Sequence, residues 1–345
     1  MALEYLFNWA PFRVDALGLV TMLGAAEVDV SLGRLVENPW TEFLPLLGAF
    51  VIAGNQFVRP VPGVVLYSIS DGIVATDVSG WLARWLNKQE LAWNTNTYVW
   101  GVRQLPRRVW RHRILPLATG VLLNGGLVAL SILLGDWFGF TNSVALTASV
   151  VVRWYMLEQN RSFLDSAVQD STEHRQEFVK AFCLLADGRA ISLHAPRGLI
   201  TKGFLTTPRP YNAFAYRLSR GVAWLSFGVH VISIGQATLF IQIMTVLIMV
   251  SATIVCIFGV GSNEYQIGRR ISVYQVDTRD VQDRRTVAYA RLRLTEVEEA
   301  SMLSWGLFPQ KSNERWWRNY QQLKEEMALK QEPKLAVAAP SLQHD

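Results

Sequence analysis

The chain has 345 residues, of which 50% are hydrophobic and 18% are charged. This charged fraction is below the roughly 25% of soluble domains, so the composition indicates a protein that lies in a membrane. The net charge of +5 favours anionic lipid over nucleic acid, because the basic residues are not gathered on one soluble domain with interleaved aromatic residues. Two cysteines without CxxC spacing, Cys183 and Cys256, exclude a disulfide framework and a cysteine-ligated metal site.

The first quarter of the chain predicts an N-terminal segment and two irregular apolar stretches. Residues 1–39 are net negative and are the poorest candidate for retention in the cytosol. Phe43 to Val58 is a short apolar run that we interpret as the first span. Val61 to Ala83 is apolar but interrupted by Asp71, Asp77 and three glycines, so it is a full span, a broken helix or a re-entrant segment.

A basic stretch follows and leads into a predicted helical hairpin. From Arg84 to Arg113 the chain has seven lysines or arginines against one acid, with four tryptophans among them, which is typical of a cytosolic segment at the membrane interface. A nucleic-acid patch is the less favoured alternative, because an apolar run begins immediately afterwards. Ile114 to Gly135 predicts an uninterrupted span, and Ser143 to Leu157 predicts the return span after a short turn.

The longest uncharged stretch is residues 221–263, which contain no Asp, Glu, Lys or Arg. A single helix of that length would exceed the roughly 30 Å hydrocarbon core, which needs about 20 residues, so a hairpin is predicted. The expected turn is Gly235-Gln236, with spans from about Leu218 to Ile234 and from about Thr238 to Val260. Arginines flank both ends, which places both ends of the hairpin and the C-terminus in the cytosol.

The polar insertion between the two hairpins predicts a small cytosolic lobe. Phe182 to Leu185 and Ala190 to His194 are apolar and β-prone, and they flank Asp187-Gly188, a strong hairpin-turn signal. A two-stranded hairpin is marginal in water. Ile271 to Val276 is therefore expected to supply a third strand.

The C-terminal tail predicts a helix from Asn313 to Lys330, with Trp316, Tyr320, Leu323 and Met327 on one face. That face can lie on the membrane or dock on the lobe. The predicted fold class is an all-α polytopic membrane protein of five or six transmembrane helices with a small cytosolic α+β lobe. The expected segments are an N-terminal segment (1–39), a membrane region (40–157) with a basic interfacial part (84–113), a cytosolic insertion (158–218), a transmembrane hairpin (219–262), a cytosolic tail (263–330) and a disordered end (331–345).

Three carboxylates near or inside apolar runs, Glu42, Asp71 and Asp77, are the candidate catalytic residues. A carboxyl group desolvated by lipid and aromatic side chains stays protonated near neutral pH, which is the state that a general acid needs. The alternatives are structural, since Glu42 can mark an interface and Asp71 can belong to a turn. His230 lies in mid-span and is interpreted first as a hydrogen-bond partner of a neighbouring helix. No metal site and no cofactor are expected, because their sequence motifs do not occur.

Two segments, FCLLADGRAISLHAPRGLITKGFL and then YRLSRGVAWLSFGVHVISIGQATL, resemble uncharacterised multi-pass membrane proteins of filamentous fungi. In size, aromatic content and isolated intramembrane acids the chain is also similar to the membrane-bound cyclases of fungal meroterpenoid pathways, which protonate an epoxide on a prenylated substrate. No motif of those cyclases is found here to assign residue by residue. The resemblance implies a cofactor-independent cyclase or isomerase that acts on a lipophilic, prenylated substrate in the endoplasmic reticulum membrane. The alternative is a multi-pass transporter, channel or membrane scaffold. The expected partners are the bilayer and a lipophilic small molecule, and no oligomeric state is predicted.

Overall fold

The computed structural model describes residues 24–89, 95–103, 110–169, 177–276 and 285–338. The helices used below are α1 (Ala25–Gly33), α2 (Pro39–Phe43), α3 (Ala49–Ala53), α4 (Gly80–Lys88), α5 (Trp110–Leu134), α6 (Trp137–Gln169), α7 (Ala213–Gln236), α8 (Leu239–Ile257), α9 (Arg285–Arg291), α10 (Glu296–Ser304) and α11 (Glu314–Ala338). The strands are β1 (Val36–Glu37), β2 (Val65–Ser68), β3 (Ile73–Ala75), β4 (Thr95–Val102), β5 (Phe178–Leu184), β6 (Ala190–Pro196), β7 (Asn263–Ile267) and β8 (Ile271–Gln275).

The chain divides into two compact units, and each is interleaved in sequence with the other. Unit 1 comprises Met1–Arg59, Arg107–Phe163 and Pro208–Gly268. Unit 2 comprises Pro60–Pro106, Leu164–Thr207 and Arg269–Asp345. Residues 1–23 of the predicted N-terminal segment and residues 339–345 of the predicted disordered end lie outside the described residues.

Unit 1 contains the long apolar helices. Among the described residues, three helices are long and apolar enough to cross a membrane: α5 from His112, α7 and α8. They correspond to the spans predicted at 114–135, 218–234 and 238–260. In each of these helices, no more than 33% of the most apolar 18-residue stretch is buried within the protein. Most of their apolar surface therefore faces outward.

The prediction of an all-α protein with five or six spans is wrong. Only these three described helices qualify, and the described residues also contain eight strands. The predicted return span 143–157 lies within α6, which carries charged side chains and is not one of the three. Apolar content alone did not distinguish a span from a segment buried in a protein core.

The run Phe43 to Val58 is the clearest example of that confusion. It forms the end of α2, the five-residue helix α3 and a 3-10 turn, because Gly48 (φ 71°) and Asn55 (φ 54°) adopt left-handed backbone conformations that interrupt a continuous helix. Val51 is fully buried. The Leu47 N–H donates to Thr253 Oγ1 of α8 at 3.1 Å, so irregular backbone beside an apolar helix is satisfied by a side chain.

One carboxylate accepts hydrogen bonds from both of the tight turns that connect the long helices of unit 1. Asp136 follows α5, and its Oδ1 accepts from the Gly139 N–H at 2.8 Å in the first turn of α6. Its Oδ2 accepts from the Thr238 N–H at 2.7 Å, directly before α8. Asp136 therefore holds the α5-α6 turn and the α7-α8 turn together. The second turn lies at 237–238, two residues beyond the predicted Gly235-Gln236, because α7 continues to Gln236.

Unit 2 contains a mixed sheet with the strand order β8-β4-β6-β5-β2-β3. Strands β4 and β6 are parallel, and the remaining pairs are antiparallel. The run 61–83, predicted as a span or re-entrant segment, supplies β2, β3 and the start of α4. Asp71 and Gly72 lie in the turn between β2 and β3, and Gly80 begins α4. None of them interrupts a membrane helix.

The predicted hairpin is present in unit 2. Strands β5 and β6 pair in antiparallel fashion with Cys183 opposite Ile191, and Gly188 in the turn has φ 82°. Ile271 begins β8, as predicted, but β8 does not pair with the hairpin directly. Strand β4 lies between them, parallel to β6 and antiparallel to β8. Since β4 comes from the stretch read as an interfacial segment, the lobe is larger than predicted.

The core of unit 2 is aromatic. Trp81, Trp85 and Trp100 are buried with Tyr98 and Phe204, and the rings of Trp85 and Trp100 lie 4.9 Å apart in an edge contact. Trp85 and Trp100 are therefore core residues and not members of an interfacial belt. Trp93 lies outside the described residues, and the side chain of Trp110 is not among those described.

The C-terminal helix α11 docks on unit 2 through the face predicted from its periodicity. Tyr320 is fully buried, and Met327 and the partly buried Trp316 and Leu323 belong to the same cluster. The Lys324 Nζ donates to the Leu294 carbonyl and to Glu299 Oε1, both at 2.6 Å. Of the two possibilities that the sequence left open for this face, the structure shows packing on the lobe.

Candidate functional site

Glu42 is the predicted catalytic carboxylate that lies in a buried polar site. It sits on α2, which begins after Asn38. The Asn38 side-chain oxygen accepts from the N–H groups of Trp40 (3.1 Å) and Thr41 (3.3 Å). Pro39 takes the first helical position, where a missing N–H costs nothing. This N-cap fixes the short helix, and the Glu42 side chain is fully buried.

Arg161 of α6 is the direct partner of Glu42. Its Nη1 donates to Glu42 Oε1. Its Nε donates to the Leu35 carbonyl at 3.1 Å, and its Nη2 donates to the Val36 carbonyl at 2.6 Å. One guanidinium group therefore satisfies a carboxylate and two main-chain carbonyls, a task that suits the planar fork of arginine and not the single ammonium of lysine.

Two further arginines surround this ion pair. Arg113 lies 3.9 Å from Glu37 Oε1, 3.9 Å from Glu42 Oε2 and 3.8 Å from Glu158 Oε2. Arg153 Nη2 donates to the Glu42 carbonyl at 3.2 Å. We call the six residues the arginine-glutamate cluster: Arg113, Arg153, Arg161, Glu37, Glu42 and Glu158. The cluster contains three guanidinium groups and three carboxylates, so the formal charges cancel.

The backbone beside the cluster is strained. Leu35 has φ 55°, in the left-handed region that costs an L-residue roughly 1 to 2 kcal/mol. Its side chain is buried, and its carbonyl accepts the bond from Arg161. A strained residue persists only where its surroundings fix it. Arg161 therefore holds both the carboxylate of Glu42 and an unfavourable turn before β1.

A cleft of about 240 Å³ opens beside the cluster in unit 1. Its lining includes the Glu37 carboxylate, the His112 imidazole, the Trp40 indole and Asn263. The indole lies close to Gly261, where an added Cβ would be 2.6 Å from a ring atom. The cleft thus combines acidic, basic and aromatic groups, but it is smaller than the roughly 300 to 1,000 Å³ of common ligand pockets.

The other two predicted catalytic residues lie in unit 2. Asp71 is in the turn between β2 and β3, as the structural alternative anticipated, and it accepts from Arg197 Nε at 2.8 Å and from Ser68 Oγ at 3.1 Å. Asp77 lies after β3 and is exposed. Neither lies on a long apolar helix. Their contacts are those of a turn and a loop in a sheet.

His230 of α7 has the interhelical hydrogen bond that the sequence favoured. Its Nδ1 pairs with Asn142 Oδ1 of α6, and Asn142 Nδ2 donates to Thr245 Oγ1 of α8 at 3.2 Å. All three side chains are buried. Because the Asn142 amide donates to Thr245, its oxygen faces His230, and His230 donates from Nδ1. These residues fasten three helices to one another.

Sequence reasoning missed the arginines of the cluster. Arg153 lies in the predicted return span 143–157, and Arg161 lies in the predicted cytosolic insertion 158–218. Both are buried. Asn160 Nδ2 donates to the Met156 carbonyl at 2.8 Å and to Tyr216 Oη at 3.0 Å. Arg161 and Glu42 are 119 residues apart, so no local spacing indicates their pairing.

The comparisons with known proteins found no match. The chain matches no protein-family model, and no curated protein or solved structure matches it either. In the part of the chain that the structure describes, no three His, Cys, Asp or Glu side chains are grouped so that they could hold a metal ion.

Proposed function

We propose that the protein is a multi-pass integral membrane scaffold, in which α5, α6, α7 and α8 cross the bilayer as two hairpins and carry unit 2 on the cytosolic side. The double cap by Asp136 is the observation that carries the proposal. One carboxylate accepts from Gly139 and Thr238 in the two turns, so both hairpins end at one level. A membrane surface is the simplest reason for such a common level.

Helix α6 is counted among the proposed spans because the chain must cross back over the bilayer after α5. Its 33 residues reach about 50 Å, and its first 20 span about 30 Å of hydrocarbon. Val144 and Val151 on this part are 47% and 56% exposed, as lipid-facing side chains would be. Asn142 and Arg153 are buried against other parts of unit 1, so their polarity does not meet lipid.

The charges indicate which side faces the cytosol. The turn end carries Asp136, whereas arginines stand at the open ends: Arg113 at α5, Arg217 and Arg220 at α7, and Arg269 and Arg270 after α8. Positive charge near the ends of spans is retained on the cytosolic side. Unit 2 joins the open ends of the hairpins through the chain, so it lies in the cytosol.

A scaffold role is favoured over catalysis because two of the nominated acids are already engaged. Glu42 pairs with Arg161, and Asp71 pairs with Arg197. These ion pairs compete with a role as proton donor. The arginine-glutamate cluster instead joins α2, α5 and α6 at one end of unit 1, which is what a rigid membrane anchor needs.

The cleft supports a second candidate function. Glu37, His112 and Trp40 supply the acid-base groups and the aromatic face that a cyclase or isomerase uses. At about 240 Å³ it would take a small ligand or only the reacting end of a prenylated one. An enzyme of this kind would use Glu37 and His112 in place of Asp71 and Asp77.

The first experiment tests membrane insertion and orientation. Cys183 and Cys256 are buried, so cysteines introduced at Trp137, in the turn end, and at Ser312, in unit 2, would be the accessible thiols. In sealed microsomes an impermeant maleimide should label the cysteine at 312 and not the one at 137 until detergent is added. Release of the protein by alkaline carbonate, or labelling of both sites in sealed vesicles, contradicts the proposal.

The second experiment separates scaffold from enzyme. Deletion of the gene, followed by profiling of lipophilic metabolites, should leave no uncyclised precursor if the protein is a scaffold. Accumulation of such a precursor, reproduced by His112→Ala but not by the exposed Asp77→Asn, would favour the enzyme.

A further inference from the structure

The start of α7 combines exposed aromatic and basic side chains in one place. Tyr211 and Phe214 are 72% and 70% exposed, and Leu218 is 60% exposed. Arg209 and Arg217 are exposed beside them. Phe214, Arg217 and Leu218 follow the i, i+3, i+4 spacing of a single helix face, which continues to the exposed Leu225. Along α7, this outward face is aromatic at Phe214, basic at Arg217 and apolar at Leu218 and Leu225.

We propose that these residues bind the phosphate groups of anionic phospholipids in the cytosolic leaflet. The proposal rests on the membrane insertion of α7 proposed above. We call Arg209, Tyr211, Phe214, Arg217 and Leu218 the headgroup surface.

The direction of Arg217 supports this occupant. Its Nε donates to the Ala213 carbonyl at 3.2 Å, four residues earlier on the same helix. The guanidinium group is thereby turned back towards the start of α7 and away from the apolar span, which is the direction of the headgroups. The remaining guanidinium N–H groups can donate to phosphate oxygens, for which arginine has suitable geometry.

Charge complementarity favours an anionic partner, and the exposed apolar face that continues along α7 favours a lipid. Residues 188–263 contain no Asp or Glu, whereas the same stretch has six lysines or arginines. An anion approaching α7 thus meets no acidic residue from this part of the sequence. Arg220 is not counted in the surface, because its Nε donates to the Ala53 carbonyl at 3.3 Å. The exposed Tyr211 and Phe214 suit the headgroup level, where amphipathic and aromatic side chains are enriched.

The test uses the full chain in nanodiscs of phosphatidylcholine and phosphatidylserine. A fluorophore is attached to Tyr211→Cys, which can be labelled selectively because Cys183 and Cys256 are buried. Brominated phosphatidylserine and brominated phosphatidylcholine are then compared as quenchers at equal mole fraction. We expect stronger quenching by the serine lipid, with an enrichment of roughly fivefold per arginine, and this preference should decrease as salt is raised.

The variant Arg209→Gln/Arg217→Gln should abolish the preference while both lipids still quench. The matched control is Arg315→Gln/Arg318→Gln, which removes two exposed charges from α11 and should retain the preference. Equal quenching by the two lipids when Arg209 and Arg217 are both present overturns the headgroup proposal but leaves membrane insertion intact. If neither lipid quenches, position 211 is not at a membrane, and carbonate extraction then shows whether insertion itself has failed.

Discussion

The two units of this protein differ in the large side chains that they bury and expose. Unit 1 buries Arg153 and Arg161 together with His230 and Asn142, while it exposes large apolar side chains such as Ile114 and Leu122. Unit 2 buries Trp81, Trp85 and Trp100 and leaves most of its ion pairs partly exposed. A water-soluble unit gains free energy by hiding apolar area, whereas a lipid-soluble unit must satisfy its polar groups internally. The difference fits the proposal above, in which unit 1 lies in lipid and unit 2 in water.

Removal of Arg161 should give the largest effect on unit 1. Arg161→Ala leaves the Glu42 carboxylate and the carbonyls of Leu35 and Val36 buried without this donor. Breaking a buried pair in this way costs roughly 3 to 5 kcal/mol. We expect a large loss of monodisperse protein in detergent and a strongly lowered melting temperature. Arg161→Lys should restore little, because one ammonium group cannot reach the three acceptors in the same geometry.

The control for Arg161 is Arg315→Ala, which removes an exposed arginine from α11 and should leave the melting temperature unchanged. If Arg161→Ala has the same melting temperature as the control, the arginine-glutamate cluster does not stabilise unit 1.

Removal of Trp100 should give the largest effect on unit 2. Trp100 is fully buried, with ring contacts to Trp85 at 4.9 Å and to Phe204 at 5.0 Å. Trp100→Ala should cost roughly 3 to 5 kcal/mol of unfolding free energy through lost burial and a cavity. Trp137→Ala is the matched change at a 73% exposed position of unit 1 and should cost far less in detergent. Equal losses for the two variants would mean that Trp100 is not a core residue.

How far the sequence predicts the fold depends on how local the signal is. The apolar helices α5, α7 and α8 and the turn at Asp187-Gly188 follow from composition and spacing within about 25 residues. Strand β4 was missed because tryptophans beside arginines look alike in an interfacial belt and in a soluble core. The Glu42 site was half predicted: the acid was singled out, but its partner is 119 residues away. The sequence therefore indicates a carboxylate beside an apolar run at 42, but not the arginine that neutralises it.

A close helix contact in unit 1 should give an intermediate effect. A Cβ added at Gly120 of α5 would lie 2.4 Å from the Phe43 carbonyl oxygen. Gly120→Ala must therefore push α2 away from α5, at roughly 1 to 3 kcal/mol. Gly125→Ala, on the same helix with nothing within 4 Å, should be neutral or slightly stabilising. Thermal melting of the two variants in one detergent compares them, and identical melting temperatures would contradict the contact.

A pH effect should arise at Asp165 in unit 2. Its carboxylate accepts from the Arg269 N–H at 3.0 Å and the Arg270 N–H at 3.1 Å, but burial outweighs these bonds and raises the pKa from 3.8 to about 6. The folded protein then binds more protons than the unfolded chain between these two values, so this carboxyl makes the protein less stable as pH rises from about 4 to 6.

Asp165→Asn removes this titration and retains an acceptor. The melting temperature of the variant relative to the parent should therefore rise between pH 4 and pH 7, by an amount equivalent to about 1 to 2 kcal/mol after allowance for partial exposure. Asp77→Asn, at an exposed position, is the control and should show no such trend. A flat difference for Asp165→Asn would show that burial does not dominate at this site.

The smallest effect is expected for the ion pair of unit 2 that most resembles the Glu42 pair. Arg197 contacts Asp71 at 2.8 Å and Glu177 at 2.8 Å, but the side chains of Arg197 and Asp71 are 24% and 16% exposed and that of Glu177 is 56% exposed. Water screens a pair of this kind, so a double-mutant cycle of Asp71→Asn and Arg197→Gln should give a coupling of roughly 0 to 1 kcal/mol.

The same cycle with Glu42→Gln and Arg161→Gln should give a coupling several times larger, because neither partner reaches water. Equal coupling energies in the two cycles would mean that water screens the Glu42-Arg161 pair as much as the Asp71-Arg197 pair. The proposed membrane placement of unit 1 would then lose its energetic support. A change in metabolite profile with Asp71→Asn alone would instead return that aspartate to the list of catalytic candidates, since its structural role is worth too little to explain a loss of function.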